Sequence, residues 1–264
     1  MITSGQNAQI KRAVRLRQHK TRLHERAFII EGYREVSKAL RSDLIFDTTF
    51  VCEEFSSIET IEFLSRSKGS LGIIRPTDAD VFRKISFREN PDGILAIAKM
   101  PDWDLNRLKV PGEGLYVVAS GIEKPGNFGA ILRTADAAGV DGVIVCEPRT
   151  DIFNHHVIRS SMGSLFHVPV AVTNRKRAIG WLNDQNIEII VTTPGAQTLY
   201  TSIDLRKKVA IVVGNEADGL DDLWLTSGTV IRIPMAGDAD SLNVGISAAV
   251  MLFEARRQRD IVQV

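Results

Sequence analysis

Cysteine is scarce in this 264-residue chain, which has two. Cys52 in "TFVCEEF" and Cys146 in "VIVCEP" are distant in sequence and sit among apolar residues. Neither a disulfide framework nor a four-ligand zinc site is indicated, and both are expected as core thiols. No metal centre is expected. Long apolar runs are missing as well. None approaches the roughly 18 residues of a membrane helix, and the opening "MITSGQNAQIKR" has no apolar signal core, so a cytoplasmic protein without a membrane span is expected. An excess of one charge is also lacking: the formal net charge is +1, and the overall balance names no partner. No internal repeat or low-complexity tract occurs. With 44% hydrophobic and 25% charged residues, the composition is that of a globular protein.

The length suits two ordinary domains. The stretch "KMPDWDLNRLKVPGEG" from Lys99 to Gly114 mixes breakers with charge and interrupts the apolar periodicity on both sides. It predicts a linker over 99–113 between domains at 1–98 and 114–264. Upstream, a helix over "NAQIKRAVRLRQHK" leads into strands "AFIIEG", "DTTFVCEE", "LGIIRP" and "GILAIAK", with helices at "YREVSKALRS" and "SIETIEFLSRS" between them, a small α/β domain. Downstream, "LYVVAS", "GVIVCE", "VPVAVT", "IEIIVTT", "VAIVVGN" and "VIRIPM" alternate with helical or turn-rich segments. This is the pattern of a mainly parallel sheet covered on both faces.

Such sheets bind ligands beyond the carboxyl ends of their strands. Thr192, Thr193 and Pro194, then Gly214, Asn215 and Glu216, then Pro234, Met235 and Ala236 end three strands here and predict one pocket. A dinucleotide is the first ligand to test. In "GIEKPGNFG" the first glycine of the dinucleotide fingerprint is Lys124, and Pro125 follows it, so the tight turn is missing. In "GNEADG", Glu216 replaces the glycine that lets pyrophosphate approach, and a carboxylate there favours a neutral or cationic ligand. Gly214 and Gly219 can equally serve only to shape a strand-to-helix turn.

Two helices frame this pocket in the sequence. "PGNFGAILRTADAAG" starts with Pro125 in the first turn and carries Asn127. Phe128, Ile131, Leu132, Ala135 and Ala138 mark its buried stripe. Arg133 falls on the other side beside Gly129, Ala130 and Ala137, either as a solvated arginine or as a fork for phosphate. In "IPMAGDADSLNVGISAAVMLFEARRQR", Ser241 is placed as the N-cap of a long helix whose start can hold a polar ligand group, with Leu242 and Val244 offering apolar surface. Capping does not account for Asn243. Ile246, Ala249, Val250 and Phe253 form one stripe, while Val244, Ala248, Met251 and Leu252 extend the apolar surface most of the way round. That predicts a subunit interface with Met251 or Val250 facing the partner.

Together the three blocks "EKPGNFGAILRTADAAG", "VVGNEADGL" and "IPMAGDADSLNVGISAAVMLFEA" resemble the three motifs of the SpoU/TrmH branch of the SPOUT superfamily, in order and over the whole C-terminal domain. These are RNA ribose 2′-O-methyltransferases. The resemblance implies a deep trefoil knot, against the usual rules of topology, an S-adenosylmethionine pocket and an obligate homodimer. It places the family's catalytic residues at Asn127, Arg133, Glu216, Ser241 and Asn243. Cofactor contacts fall to Thr193, Gly214, Asn215, Gly219, Ile233, Pro234, Met235, Leu242 and Val244. Gly245 departs from the serine that many members carry. The N-terminal domain resembles a small RNA-binding domain of the family. Independently, residues 11–26 hold seven Lys or Arg and one acid, with Arg12, Arg15, His19 and Arg22 at helical spacing, either a solvated face or the footprint of an RNA backbone.

The expected activity is methyl transfer to a ribose 2′-hydroxyl of structured RNA, foremost 23S ribosomal RNA. Transfer RNA, or a non-catalytic RNA-binding or assembly role, are the alternatives. A dinucleotide-dependent oxidoreductase using Glu147 lacks its glycine fingerprint. Since guanidinium groups stay protonated in proteins, Arg133 is expected to clamp phosphate and stabilise a developing alkoxide; direct proton abstraction requires a site that severely depresses its pKa.

Overall fold

The computed structural model describes residues 1–215 and 218–260. They divide into two compact units, one of residues 1–102 and 151–167, the other of 103–150 and 168 onward.

The first unit runs α1 (Ala8–Arg15), α2 (His19–Glu25), β1 (Ala27–Glu31), α3 (Tyr33–Ala39), β2 (Phe46–Val51), α4 (Ile58–Arg66), β3 (Ile73–Pro76), α5 (Ala79–Ile85) and β4 (Ile94–Lys99). Its sheet has the order β1-β4-β2-β3, with β4 antiparallel to both neighbours and β3 parallel to β2. Ile10, Ala13 and Leu16 pack with Val81, Phe82 and Ile85 of α5 over Ile29, Phe50, Leu95 and Ile97. The single helix expected over residues 7–20 is two. Asn7 caps α1 by accepting from the Gln9 N–H, and the chain turns at Leu16–Gln18 before α2. Carbonyls at a helix end need outside donors. Here Arg22 supplies them, donating from Nη1 to Leu16 O at 2.9 Å and Arg17 O at 2.7 Å.

The second unit begins with β5 (Leu115–Ser120), α6 (Pro125–Ala137) and β6 (Gly142–Cys146). The chain then contributes α7 (His155–Ser160) to the first unit, where Phe28 packs against Phe153 and Phe166 at ring distances of 4.5 and 6.2 Å. It resumes as β7 (Val170–Thr173), α8 (Arg175–Asp184), β8 (Glu188–Thr192), β9 (Thr198–Leu199), β10 (Val209–Val213), α9 (Asp222–Leu225), β11 (Thr229–Arg232) and α10 (Val244–Asp260). The sheet order is β7-β6-β5-β10-β8-β11-β9, and every pairing is parallel. β5, β6 and β10 are buried at every position, as strands covered on both faces must be. The stretch expected as a linker has core residues of its own, since Leu105 and Leu108 are buried with Tyr116, Ile144 and Leu182.

α10 packs on α6 and β10. Gly245 permits the contact: a Cβ there would meet the Ala130 Cβ at 3.1 Å. Arg256 donates to Ala138 O and Gly139 O, pairing carbonyls at the end of α6. Val244, Ala248, Met251, Leu252 and Ala255 are buried within the unit, while Ile246 and Phe253 are 54% and 52% exposed. The outward stripe is therefore Ile246 to Phe253. Met251, expected to face a partner, is 0% exposed because it points at the unit's own core.

Candidate cofactor and catalytic site

The carboxyl ends of β8, β10 and β11 converge with the start of α10 on one cleft of about 290 Å³. Thr193, Gly214, Asn215, Gly219, Ile233, Met235, Leu242 and Val244 line it, as do Ser241 and Asp240; of the expected cofactor contacts, Pro234 alone is not among its lining residues. Thr192 and Pro194, expected at the pocket as strand-end residues, line it as well, and so do Val213, Asp218, Leu220 and Ser247, which carry no sequence signal of their own. Gly214 is needed for the loop to close, because a Cβ would lie 2.7 Å from Gly219 O and from the Leu220 side chain. Gly219 has φ +67°, where glycine carries no steric penalty, and its N–H donates to Asn215 O at 3.0 Å.

The cleft suits a ligand with an apolar body and polar ends. Val213, Leu220, Ile233, Met235, Leu242 and Val244 give it apolar walls, and Asp218 and Asp240 give it carboxylates. The Thr192 hydroxyl is buried without a hydrogen-bond partner among the described residues. Such a group carries an unmet desolvation cost, which a polar ligand atom in the cleft would relieve.

Asn243, rather than Ser241, caps α10. Its Oδ1 accepts from the Gly245 N–H at 2.9 Å, and its main-chain carbonyl accepts from Ser247 N–H at 2.9 Å. Ser241 lies two residues before this cap and is exposed at the cleft. Asn243 also donates from Nδ2 to Asn127 Oδ1 at 3.1 Å, so the structure brings these two expected residues together across α6 and α10. The Asn127 Nδ2 is buried and unpartnered among the described residues. Arg133 is exposed on α6, on a face shared with exposed Gly126, Ala130 and Ala137, and makes no hydrogen bond or ion pair with a described residue. Glu216 lies outside the described residues.

A second cleft of about 370 Å³ shares Asn215, Asp218, Gly219 and Leu220 with the first and is also lined by Ser120, Glu147, Arg149, Arg175, Asp221 and Trp224. Glu147, the ribose ligand of the oxidoreductase alternative, pairs with Arg175 at 2.5 Å. Arg149 pairs with Glu123 and with Asp218. Donation by Arg149 and then by Asn215 holds the Glu123 carboxyl below the usual carboxylate range. The Trp224 indole, 0% exposed, donates to Ser120 Oγ at 3.0 Å. Burial pushes the Cys146 thiol up to about 12, which leaves it a core group and not a nucleophile.

The basic stripe of the first unit does not survive folding as one face, because the break between α1 and α2 changes its phase. Arg22 is a correction to the expected RNA contacts: its side chain is 5% exposed and paired at 2.5 Å with Asp151. Arg12 is half-buried and held by Glu25 and Asp47. Arg15 stays 59% exposed, 3.9 Å from Glu25. The unit has a broad polar depression of about 900 Å³ lined by Tyr33, Arg34, Glu35, Arg88, Asp92 and Arg159 among others, but Arg88 is committed to Glu35 and Asp92. Among the described residues, no helix is long and apolar enough to cross a membrane, and no group of three or more His, Cys, Asp or Glu could hold a metal ion.

This largely parallel α/β architecture is shared with RNA methyltransferases of known structure. Residues 114–253 match the SpoU rRNA Methylase family, and residues 7–96 match the MRM3-like substrate binding domain. The chain belongs to the SpoU rRNA methylase family. It is 31% identical over 260 residues to the 23S rRNA (guanosine(2553)-2′-O)-methyltransferase RlmP of Bacillus subtilis, covering 97% of this chain and 98% of that one. A crystal structure of an RNA 2′-O ribose methyltransferase superposes with a TM-score of 0.84 at 40% identity, covering 98% of each chain. An AdoMet-bound rRNA methyltransferase from Sinorhizobium meliloti gives 0.88 at 33% identity, covering 97% of each.

Proposed function

We propose that this protein transfers a methyl group from S-adenosylmethionine to a ribose 2′-hydroxyl of 23S ribosomal RNA, and works in the cytoplasm as a homodimer without a metal ion. The observation that carries the reading is the Asn127–Asn243 hydrogen bond, which joins the helix bearing Arg133 to the helix start that borders the cleft. When bound, the cofactor supplies an electrophilic methyl on a sulfonium sulfur. Its apolar parts would rest on Val213, Ile233, Met235 and Leu242, and Thr192 would hydrogen-bond one of its polar atoms. Asp218 and Asp240 favour its positive charge.

Arg133 has no partner to give up among the described residues, so its fork is available to hold a phosphate of the target nucleotide and to stabilise charge developing on the 2′-oxygen. The buried Asn127 Nδ2 adds a preset donor, held in orientation by Asn243. Ser241 stands at the cleft mouth within reach of a bound substrate. In the first unit, Arg15 remains a candidate phosphate contact, while Arg34 and Arg159 offer exposed guanidiniums at the polar depression. Exposed Ile246 and Phe253 supply the apolar face for a second copy.

The test is single-turnover transfer of labelled methyl to 23S ribosomal RNA from a strain lacking this gene, followed by mapping of the methylated ribose. Wild type should modify one site. Arg133→Ala should bind S-adenosylmethionine normally and lose roughly a hundredfold or more in transfer, the scale of one oxyanion donor, and Arg133→Lys should recover little because it lacks the fork. Wild-type turnover in Arg133→Ala, or transfer to transfer RNA alone, would overturn the reading.

A further inference from the structure

We infer that Arg149 is a positioning residue for cofactor binding: its guanidinium braces the 214–220 loop, one wall of the cofactor cleft, against the loop between β5 and α6. The inference rests on the reading of that cleft as the S-adenosylmethionine site. Asn215, Asp218, Gly219 and Leu220 line the cofactor cleft on one side and the second cleft on the other. The loop is thus a partition with open space on both faces. Leu220 anchors its end on the unit's core, and the stretch before it is held from its flanks.

Arg149 is built to do this. Its own N–H donates to Ile122 O at 3.2 Å, which fixes its backbone to the β5–α6 loop. One guanidinium nitrogen pairs with Glu123 in that loop, and another pairs with Asp218 at 2.9 Å. Glu123 in turn accepts from Asn215 Nδ2 at 3.1 Å. Asn215 and Asp218 bracket positions 216 and 217, so both sides of that dipeptide are tied to the Arg149–Glu123 pair. Arg175 pins the far end of the loop through Asp221, which also caps α9. Both guanidiniums of the second cleft are already held by two carboxylates each, which makes them braces rather than an anion site.

Charge and positioning predict opposite results here. Removing Arg149 uncovers Glu123 and Asp218, and S-adenosylmethionine carries one more positive charge than S-adenosylhomocysteine. An electrostatic role would therefore make Arg149→Ala favour the methylated cofactor over its product. A positioning role weakens both equally. Calorimetry on the full chain should show Arg149→Ala losing about fivefold in affinity for each ligand, the upper range for an exposed ion-pair network. Arg149→Lys should restore part of it, the urea midpoint should fall only slightly, and KM for S-adenosylmethionine should rise more than kcat falls. Affinities within about twofold of wild type, or tighter S-adenosylmethionine binding alone, would overturn the inference. Gly214→Ala separates the two levels. If it binds both ligands as wild type does, the cleft is not the cofactor site and both readings fall; if it loses them while Arg149→Ala does not, only the brace falls.

Discussion

Arg22→Ala is expected to break the first unit's core and not an RNA contact. The Arg22 side chain is 5% exposed and donates from Nε and Nη2 to Asp151 at 2.6 and 2.5 Å, while Nη1 holds two carbonyls. Truncation leaves the Asp151 carboxylate, 8% exposed, without its counter-charge and strips the end of α1 of its donors. Breaking a buried ion pair from one side costs about 3–5 kcal/mol, and each orphaned carbonyl adds about 1–3 kcal/mol where water cannot reach it. These terms overlap, so about 3 kcal/mol is the floor, set against domain stabilities of about 5–15 kcal/mol. Arg22→Met with Asp151→Leu removes both charges and should cost less than Arg22→Ala alone.

The chain offers its own probe for this experiment. Its three tryptophans, Trp103, Trp181 and Trp224, all belong to the second unit. In urea, far-ultraviolet circular dichroism of Arg22→Ala should show an early transition that tryptophan fluorescence does not follow. A loss below about 1 kcal/mol, together with weaker RNA binding, would refute the burial argument and return Arg22 to the RNA surface.

Gly214→Ala should drive a Cβ to 2.7 Å from Gly219 O, an overpacking of about 1–3 kcal/mol; calorimetry should show roughly tenfold weaker binding of S-adenosylhomocysteine, and unchanged affinity would refute the reading of this cleft as the cofactor site. Ile246→Asp with Phe253→Asp should give a folded monomer in sedimentation at micromolar concentration, whereas Met251→Asp should unfold the second unit. A double variant that stays dimeric would place the interface elsewhere.

Strand positions were legible because the second unit's strands are short apolar runs bounded by turn residues, and "LYVVAS" or "VAIVVGN" has no competing helical period. β9 was not, since two residues, Thr198 and Leu199, carry no periodicity. The cleft is legible from the polar ends of three strands, although the sequence points to Ser241 as the cap that Asn243 provides: both residue types cap helices, and sequence alone does not choose between positions two apart. The α1 stripe misled for a different reason. A basic residue every third or fourth position marks a surface only while the helix continues, and the turn at Leu16–Gln18 is held by Arg22 itself. Asp151, the partner that buries Arg22, lies 129 residues away, beyond any local pattern.

What separates the arginines of this fold is whether it supplies their acceptors. Arg22 has a carboxylate and two carbonyls, Arg12 two carboxylates, Arg149 and Arg175 two each, and Arg256 the last carbonyls of α6. A guanidinium has five donors in a fixed fork, and in these cases the protein occupies them. Arg133 sits on a face made of Gly126, Ala130 and Ala137, none of which offers a side-chain acceptor, so its donors stay in water at little cost. The same small residues leave room for a large partner to reach the fork. A solvated guanidinium exchanges water for phosphate or alkoxide without first breaking a bond to its own chain. Among the described residues Arg133 keeps its fork open, and that is why we propose it, rather than the denser basic sequence of α1 and α2, for the chemistry of methyl transfer.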